Sequence, residues 1–204
     1  MRRWLPGVFF RWLAALWVSF GLLSGCATSY LLDNQVQSFS GLQALPANPT
    51  YRFERLPSQQ GQPAQYQLEA LADPALFKAG LRRDDASPQY SVQVSARVQR
   101  ILSPWADSRD GGWGGGLGLF GAGIGYSAPF PRMEQPWYQR EVAVIVRDVA
   151  SSRVVFESRA ANDGPWWDSN SVLPAMFEAA LQGFPNAPAG PRRVDIQIGA
   201  TQRK

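Results

Sequence analysis

WYQREVAVIVRDV, residues 137–149, followed by VASS at 149–152 and RVVFESRA at 153–160, decides how this chain folds. The centre of the first run, VAVIV, is apolar at consecutive positions. A strand apolar on both faces sits in the middle of a sheet. VASS is a short polar turn. The second run resumes with Val154, Val155 and Phe156, so the two runs form an antiparallel hairpin.

Working outward, YSVQVSARVQRIL at 90–102 alternates Val92, Val94, Ala96 and Val98 with polar residues, a strand with one wet face. TYRFERL at 50–56 and RRVDIQIG at 192–199 alternate in the same way. QVQSFSG at 35–41 reads as a short edge strand inside an otherwise polar tether over residues 26–49. Two segments have helical spacing instead. In PAQYQLEALADPALFKAGL, 63–81, Leu68, Leu71, Ala72, Ala75, Leu76 and Ala79 share one stripe. Pro74 interrupts that stripe and predicts a kink or two short helices, with Gly80 as terminator. In SNSVLPAMFEAALQGF, 169–184, Leu173, Met176, Phe177, Ala180, Leu181 and Phe184 form the stripe. Ser169 or Ser171 serves as cap, Pro174 lies in the first turn, and Gly183 and Pro185 act as the stop.

Strands with one wet face and two helices with one apolar stripe each predict an α+β domain over residues 50–200. The expected form is a two-layer sandwich, a mostly antiparallel sheet with both helices on one face and a long glycine-rich insert between two strands. Its succession of helix, three strands and helix also occurs in double-stranded RNA-binding domains, but topology alone assigns no function.

The amino terminus has a different logic. Arg2, Arg3 and Arg11 precede an uncharged run, WLAALWVSFGLLSG at 12–25, too short to cross a bilayer, which needs about 20 residues. Leu22 or Leu23, Ser24, Gly25 and Cys26 resemble the lipobox of bacterial lipoproteins. The resemblance implies that residues 1–25 are a signal peptide and that Cys26, the chain's one cysteine, is acylated after cleavage by chains such as palmitate. It makes the membrane a partner through that lipid. The absence of an aspartate after Cys26, where Ala27 stands, implies an outer-membrane position facing the periplasm. Three of the 20 basic residues leave with the signal, so 17 face 16 acidic residues, a net charge of +1. That balance argues against a nucleic-acid partner.

The domain as a whole resembles the bacterial lipoprotein family called domain of unknown function 4136. The likeness covers roughly residues 30–200. It is carried by the succession YRFERLP, LADPALFKAGLRRDD, YSVQV, the glycine-rich insert, REVAVIVRD, VVFESRA and MFEAALQGFP. The resemblance implies a lipid-anchored α/β domain and supplies no catalytic residue.

Chemistry narrows the function further. The chain has no histidine, which removes the commonest general base and metal ligand. Its one thiol is assigned to lipid. We therefore expect no enzyme, no cofactor and no metal site.

The insert GGWGGGLGLFGAGIGYSAPFP, 111–131, has 9 glycines in its first 15 residues and no charge. Gly116, Gly118 and Gly121 spell a dinucleotide fingerprint, but no helix pattern follows and Pro129 and Pro131 forbid one nearby. The insert reads as a flexible connection, as a cover for a sheet edge, or as a binding loop presenting Trp113, Phe120, Tyr126 and Phe130 to an envelope protein. A second candidate is DGPWWD, 163–168. Asp163, Trp166, Trp167 and Asp168 there have the residue types that stack and hydrogen-bond a glycan such as peptidoglycan. The bland reading of the same tryptophans is a plug at the end of a core.

Growth with a clickable palmitate analogue should label the wild-type chain, and Cys26→Ser should lose both the label and the membrane fraction. An unlabelled wild type would remove the anchor.

Overall fold

The face of the central hairpin that holds Val142, Val144 and Val146 is fully buried, and the domain is built on it. The computed structural model describes residues 30–104 and 136–199. The signal and Cys26, together with the insert and its Trp113, Phe120, Tyr126 and Phe130, lie outside the described residues. Leu31–Ile198 forms one compact unit.

Seven strands form one mixed sheet. In chain order they are β1 (Tyr30–Ser40), β2 (Thr50–Phe53), β3 (Arg82–Arg83), β4 (Tyr90–Ile101), β5 (Trp137–Asp148), β6 (Val154–Gly164) and β7 (Gly190–Ile198). Two helices, α1 (Pro63–Lys78) and α2 (Ser169–Leu181), complete an α+β fold. The spatial order of the sheet is β3-β2-β4-β5-β6-β1-β7.

The expected hairpin is present. β5 pairs antiparallel with β6, for example Val144 opposite Ser158, and β4 pairs antiparallel with β5. The turn between β5 and β6 is held by the Asp148 carboxylate, which accepts from the Ser151 N–H and hydroxyl, each at 2.7 Å. β2 runs parallel to β4 because α1 lies between them in the chain and carries it back across the sheet. Arg82 and Arg83 form β3, which runs parallel beside β2.

The amino-terminal boundary needs correcting. The segment taken as a tether with a short edge strand at 35–41 contains an eleven-residue strand, and that strand lies inside the sheet between β6 and β7. Its buried residues are Leu32, Asn34, Val36 and Ser38. The polar pair among them hid the strand from a hydrophobicity reading. Ser38 and Ser158 share a hydrogen bond of 2.8 Å, and Ser158 donates to the Ala180 carbonyl at 2.6 Å. Asn34 donates to the Leu32 and Val194 carbonyls. Buried polar groups carry little cost when bonded in this way.

α1 also differs from expectation. It is one helix running through Pro74, with Pro74 exposed. Its buried residues are Gln65, Glu69, Ala72, Ala75 and Leu76, so two polar residues replace Leu68 and Leu71 at the centre of the covered stripe. Arg55 explains the shift. Its guanidinium clasps the Glu69 carboxylate with two bonds of 2.7 and 2.5 Å and lies 4.4 Å over the Tyr66 ring. Gln65 bonds both Glu69 and the Val94 carbonyl. The Tyr51 hydroxyl donates to Asp73, and burial pushes its pKa well above the ordinary phenol value.

α2 packs against α1 and against β5, β6 and β7. It is buried on three sides, through Val172, Leu173, Met176, Phe177, Ala180 and neighbours. Its cap is Asp168 rather than Ser169 or Ser171, and Gly183 beyond its end holds a φ of 85°, which favours glycine.

The two similar-looking phenylalanines of the helices should separate cleanly. Phe177 is fully buried and Phe77 is 59% exposed beneath Arg82. In urea unfolding, Phe177→Ala should cost about 3–5 kcal/mol, and Phe77→Ala under about 1 kcal/mol.

Candidate functional site

Antiparallel pairing brings four chain positions to one end of the sheet: the end of β4, the start of β5, the end of β6 and the start of β1. Ile101 lies opposite Trp137, and Tyr138 lies opposite Gly164. The segment that follows β6 carries Trp166 and Trp167 before α2 begins. DGPWWD is therefore joined to a larger aromatic end that includes Trp137 and Tyr138.

Arg140 holds this end together. It alternates in phase with Val142 and Val144 on the covered face and is itself fully buried. Its guanidinium donates to the Trp166 carbonyl and, at 3.4 Å, to the Ser169 hydroxyl, and it lies 5.0 Å from the Tyr138 ring centre. A buried guanidinium needs such oxygens, because the charge is costly without them. Gly164 serves the same corner. A Cβ there would come within 3.1 Å of the Trp166 ring, so the indole rests directly on bare backbone.

The two carboxylates offered as sugar ligands are engaged in the fold. The Trp137 indole N–H donates to Asp163 at 2.8 Å. Asp168 caps α2, accepting from the Asn170 N–H at 3.0 Å and from the Ser171 hydroxyl at 2.5 Å. The Ser171 hydroxyl, then the Asn170 N–H, hold the Asp168 carboxyl below its ordinary range, with a contribution from Arg140. Trp166 is 37% exposed and Trp167 is 77% exposed. The structure thus brings Asp163, Trp166, Trp167 and Asp168 into one corner, and it leaves Trp167 as the more open of the two tryptophans. Leu102, also well exposed, stands at the end of β4, and Leu31 is exposed near the start of β1.

Arg140 and Gly164 were missed from sequence. The Arg140 signal was present, since it falls in phase with the buried valines of its own strand. Among the described residues no group of three or more carboxylate or cysteine side chains is arranged to hold a metal ion. No described helix is long and apolar enough to cross a membrane. At the opposite end of the sheet, Phe39 and Val154 flank a shallow groove of about 370 Å³ between β1 and β6.

Residues 36–186 match the family described as a domain of unknown function, DUF4136. The chain belongs to that family. The match starts inside β1 and ends beyond α2.

Solved structures with a similar chain path are distant in sequence. A point variant of PelC from Paraburkholderia phytofirmans, described as a dodecamer, is 14% identical, with 72% of this chain and 94% of that chain covered and a TM-score of 0.44. A PDZ domain protein from Parabacteroides distasonis is 14% identical, with 92% and 42% covered and a TM-score of 0.47. A minor lipoprotein from Acinetobacter baumannii is 12% identical, with 66% and 86% covered and a TM-score of 0.32. No curated protein matches the chain.

The cap at Asp168 yields a pH prediction with a definite sign. Its carboxyl is lowered in the folded state, so the stability it adds is present above its unfolded value, about 4, and is lost as pH falls through the folded value. Asp168→Ala should melt below wild type at pH 7, and the gap between the two should close in acid. A gap that stays constant down to pH 2 would show that Asp168 does not act as a charged cap.

Proposed function

We propose that this protein is a periplasm-facing lipoprotein of the outer membrane, anchored through Cys26, that acts by binding rather than by catalysis. One observation carries the reading. The chain leaves β4 and enters β5, flanking residues 105–135, at the same sheet end where β1 begins, four residues after Cys26. Anchor and insert therefore join the domain at one end. The insert, through Trp113, Phe120, Tyr126 and Phe130, would meet an envelope partner close to the bilayer.

The expected two-layer arrangement belongs to the same proposal. Its support is the one-sided burial of β1, β5 and β6 and the packing of both helices against the sheet and each other. The opposite face would stay open as scaffold surface. A second reading, a glycan site, draws on the exposure of Trp167 alone, because Asp163 and Asp168 already serve the fold.

Photocrosslinking in cells tests the first reading. A probe at Trp113 should give a discrete protein adduct, and a probe at Gln93 on β4 should not. No adduct from Trp113, or equal adducts from both, would make the insert a connector. Retention of the chain on purified peptidoglycan, lost in Trp167→Ser, would instead favour the glycan reading.

A further inference from the structure

A lipid on Cys26 would be tied to the aromatic end by a short length of chain. Cys26 precedes Tyr30, the first residue of β1, by four residues, a reach of at most about 14 Å. The turn between β5 and β6 stands at the other end of a twelve-residue strand, about 40 Å away. A lipid on Cys26 would therefore hold the Trp167 end of the sheet near the bilayer surface and the Ala150 end far from it.

The side chains at the near end suit that surface. Trp167 and Leu102 are 77% and 75% exposed, and Leu31 is 58% exposed. Tryptophan has an apolar body and one polar N–H, and it concentrates where hydrocarbon meets headgroups. Of the acids nearby, Asp163 is held by the Trp137 indole, Asp168 by the α2 cap and Asp33 by Arg193, while Glu141 stands opposite Arg97. On the last residues of β4, Arg97 and Arg100 are exposed cations that match anionic headgroups. Scattered exposed apolar residues need no explanation, but a tryptophan and two leucines grouped at the anchored end of a domain do.

We propose that this end, through Trp167, Leu102 and Leu31 with Arg97 and Arg100 at its rim, docks on the phospholipid surface and fixes the domain upright on its anchor. One lipidated residue permits any tilt. A second contact selects one, and it holds the open face of the sheet and the far groove away from the bilayer. The proposal rests on the lipid-anchor reading for the source of the membrane, but its test does not.

The experiment uses the full chain purified from membranes and reconstituted into vesicles of phosphatidylethanolamine and phosphatidylglycerol, part of them with brominated acyl chains. Acylation blocks the sulfur of Cys26, so a single introduced cysteine carries a polarity-sensitive fluorophore. In Asn170→Cys, on the exposed side of the first turn of α2, the fluorophore should shift to the blue and be quenched by bromine. In Ala150→Cys it should do neither. Adding Trp167→Ser and Leu102→Ser to the first variant should abolish the shift and the quenching while the protein still floats with the vesicles. Both side chains point into water, so their loss leaves the fold intact. A position-170 label that stays in water on floating vesicles overturns the docking and leaves the anchor standing. Equal quenching at 170 and 150 overturns it too. A shift at 170 on adding soluble muropeptides, and none on lipid, assigns the tryptophan to a glycan instead. Mass spectrometry of the amino-terminal peptide reports acylation separately. A chain found unacylated is labelled with Cys26→Ser in place, and the same two labels then decide the docking.

Discussion

Arg140 lies on the covered face of β5 with its guanidinium out of water, and a charge in that position has to be met by oxygens. The Trp166 carbonyl and the Ser169 hydroxyl meet it. Those two atoms belong to the segment that leaves the sheet and turns into α2. The buried cation therefore fixes where α2 starts, and with it the direction of Trp167 and the place of the Asp168 cap. Gly164 completes the corner by letting the Trp166 ring lie on backbone. The aromatic end is thus held by a polar constraint rather than by apolar packing alone.

The same logic governs the rest of the covered face. Under α2 the sheet presents hydroxyls and amides as well as valines. Ser38 and Ser158 bond each other, and Ser158 reaches the Ala180 carbonyl near the end of the helix. Arg192 on β7 donates to Ser38 and to the Gln182 carbonyl just past α2. On the same face, towards the β2 edge of the sheet, Arg55 and Glu69 tie α1 to the chain that follows β2. Such bonds add little net energy each, but leaving one partner unmet is expensive, so they select one register and one helix position.

Function enters through what this scaffold leaves exposed. The carboxylates of the aromatic corner are spent on an indole and on a helix cap. What faces outward is a tryptophan, two leucines and two arginines at the end where β1 begins. That surface has the chemistry of contact with an interface. The glycine-rich insert attaches at the same end, so an anchored domain would present its most unusual sequence close to the membrane and keep its opposite groove in the periplasm.

The sequence by itself determined the elements whose burial is purely apolar. The central hairpin, β4 and α2 were legible because valine alternation and a leucine, methionine and phenylalanine stripe repeat at the period of the structure they form. Only the tertiary structure decided the role of residues whose burial depends on a distant partner. Asn34 fell in the tether and Ser38 in an edge strand, and neither Glu69 nor Arg140 stood out, because each is covered only once β6, β7, Arg55 or the Trp166 carbonyl arrives to bond it. Asp163 and Asp168 looked available to a ligand for the same reason. Hydrophobic periodicity is a local property of the chain, whereas the satisfaction of a buried polar group belongs to two segments at once.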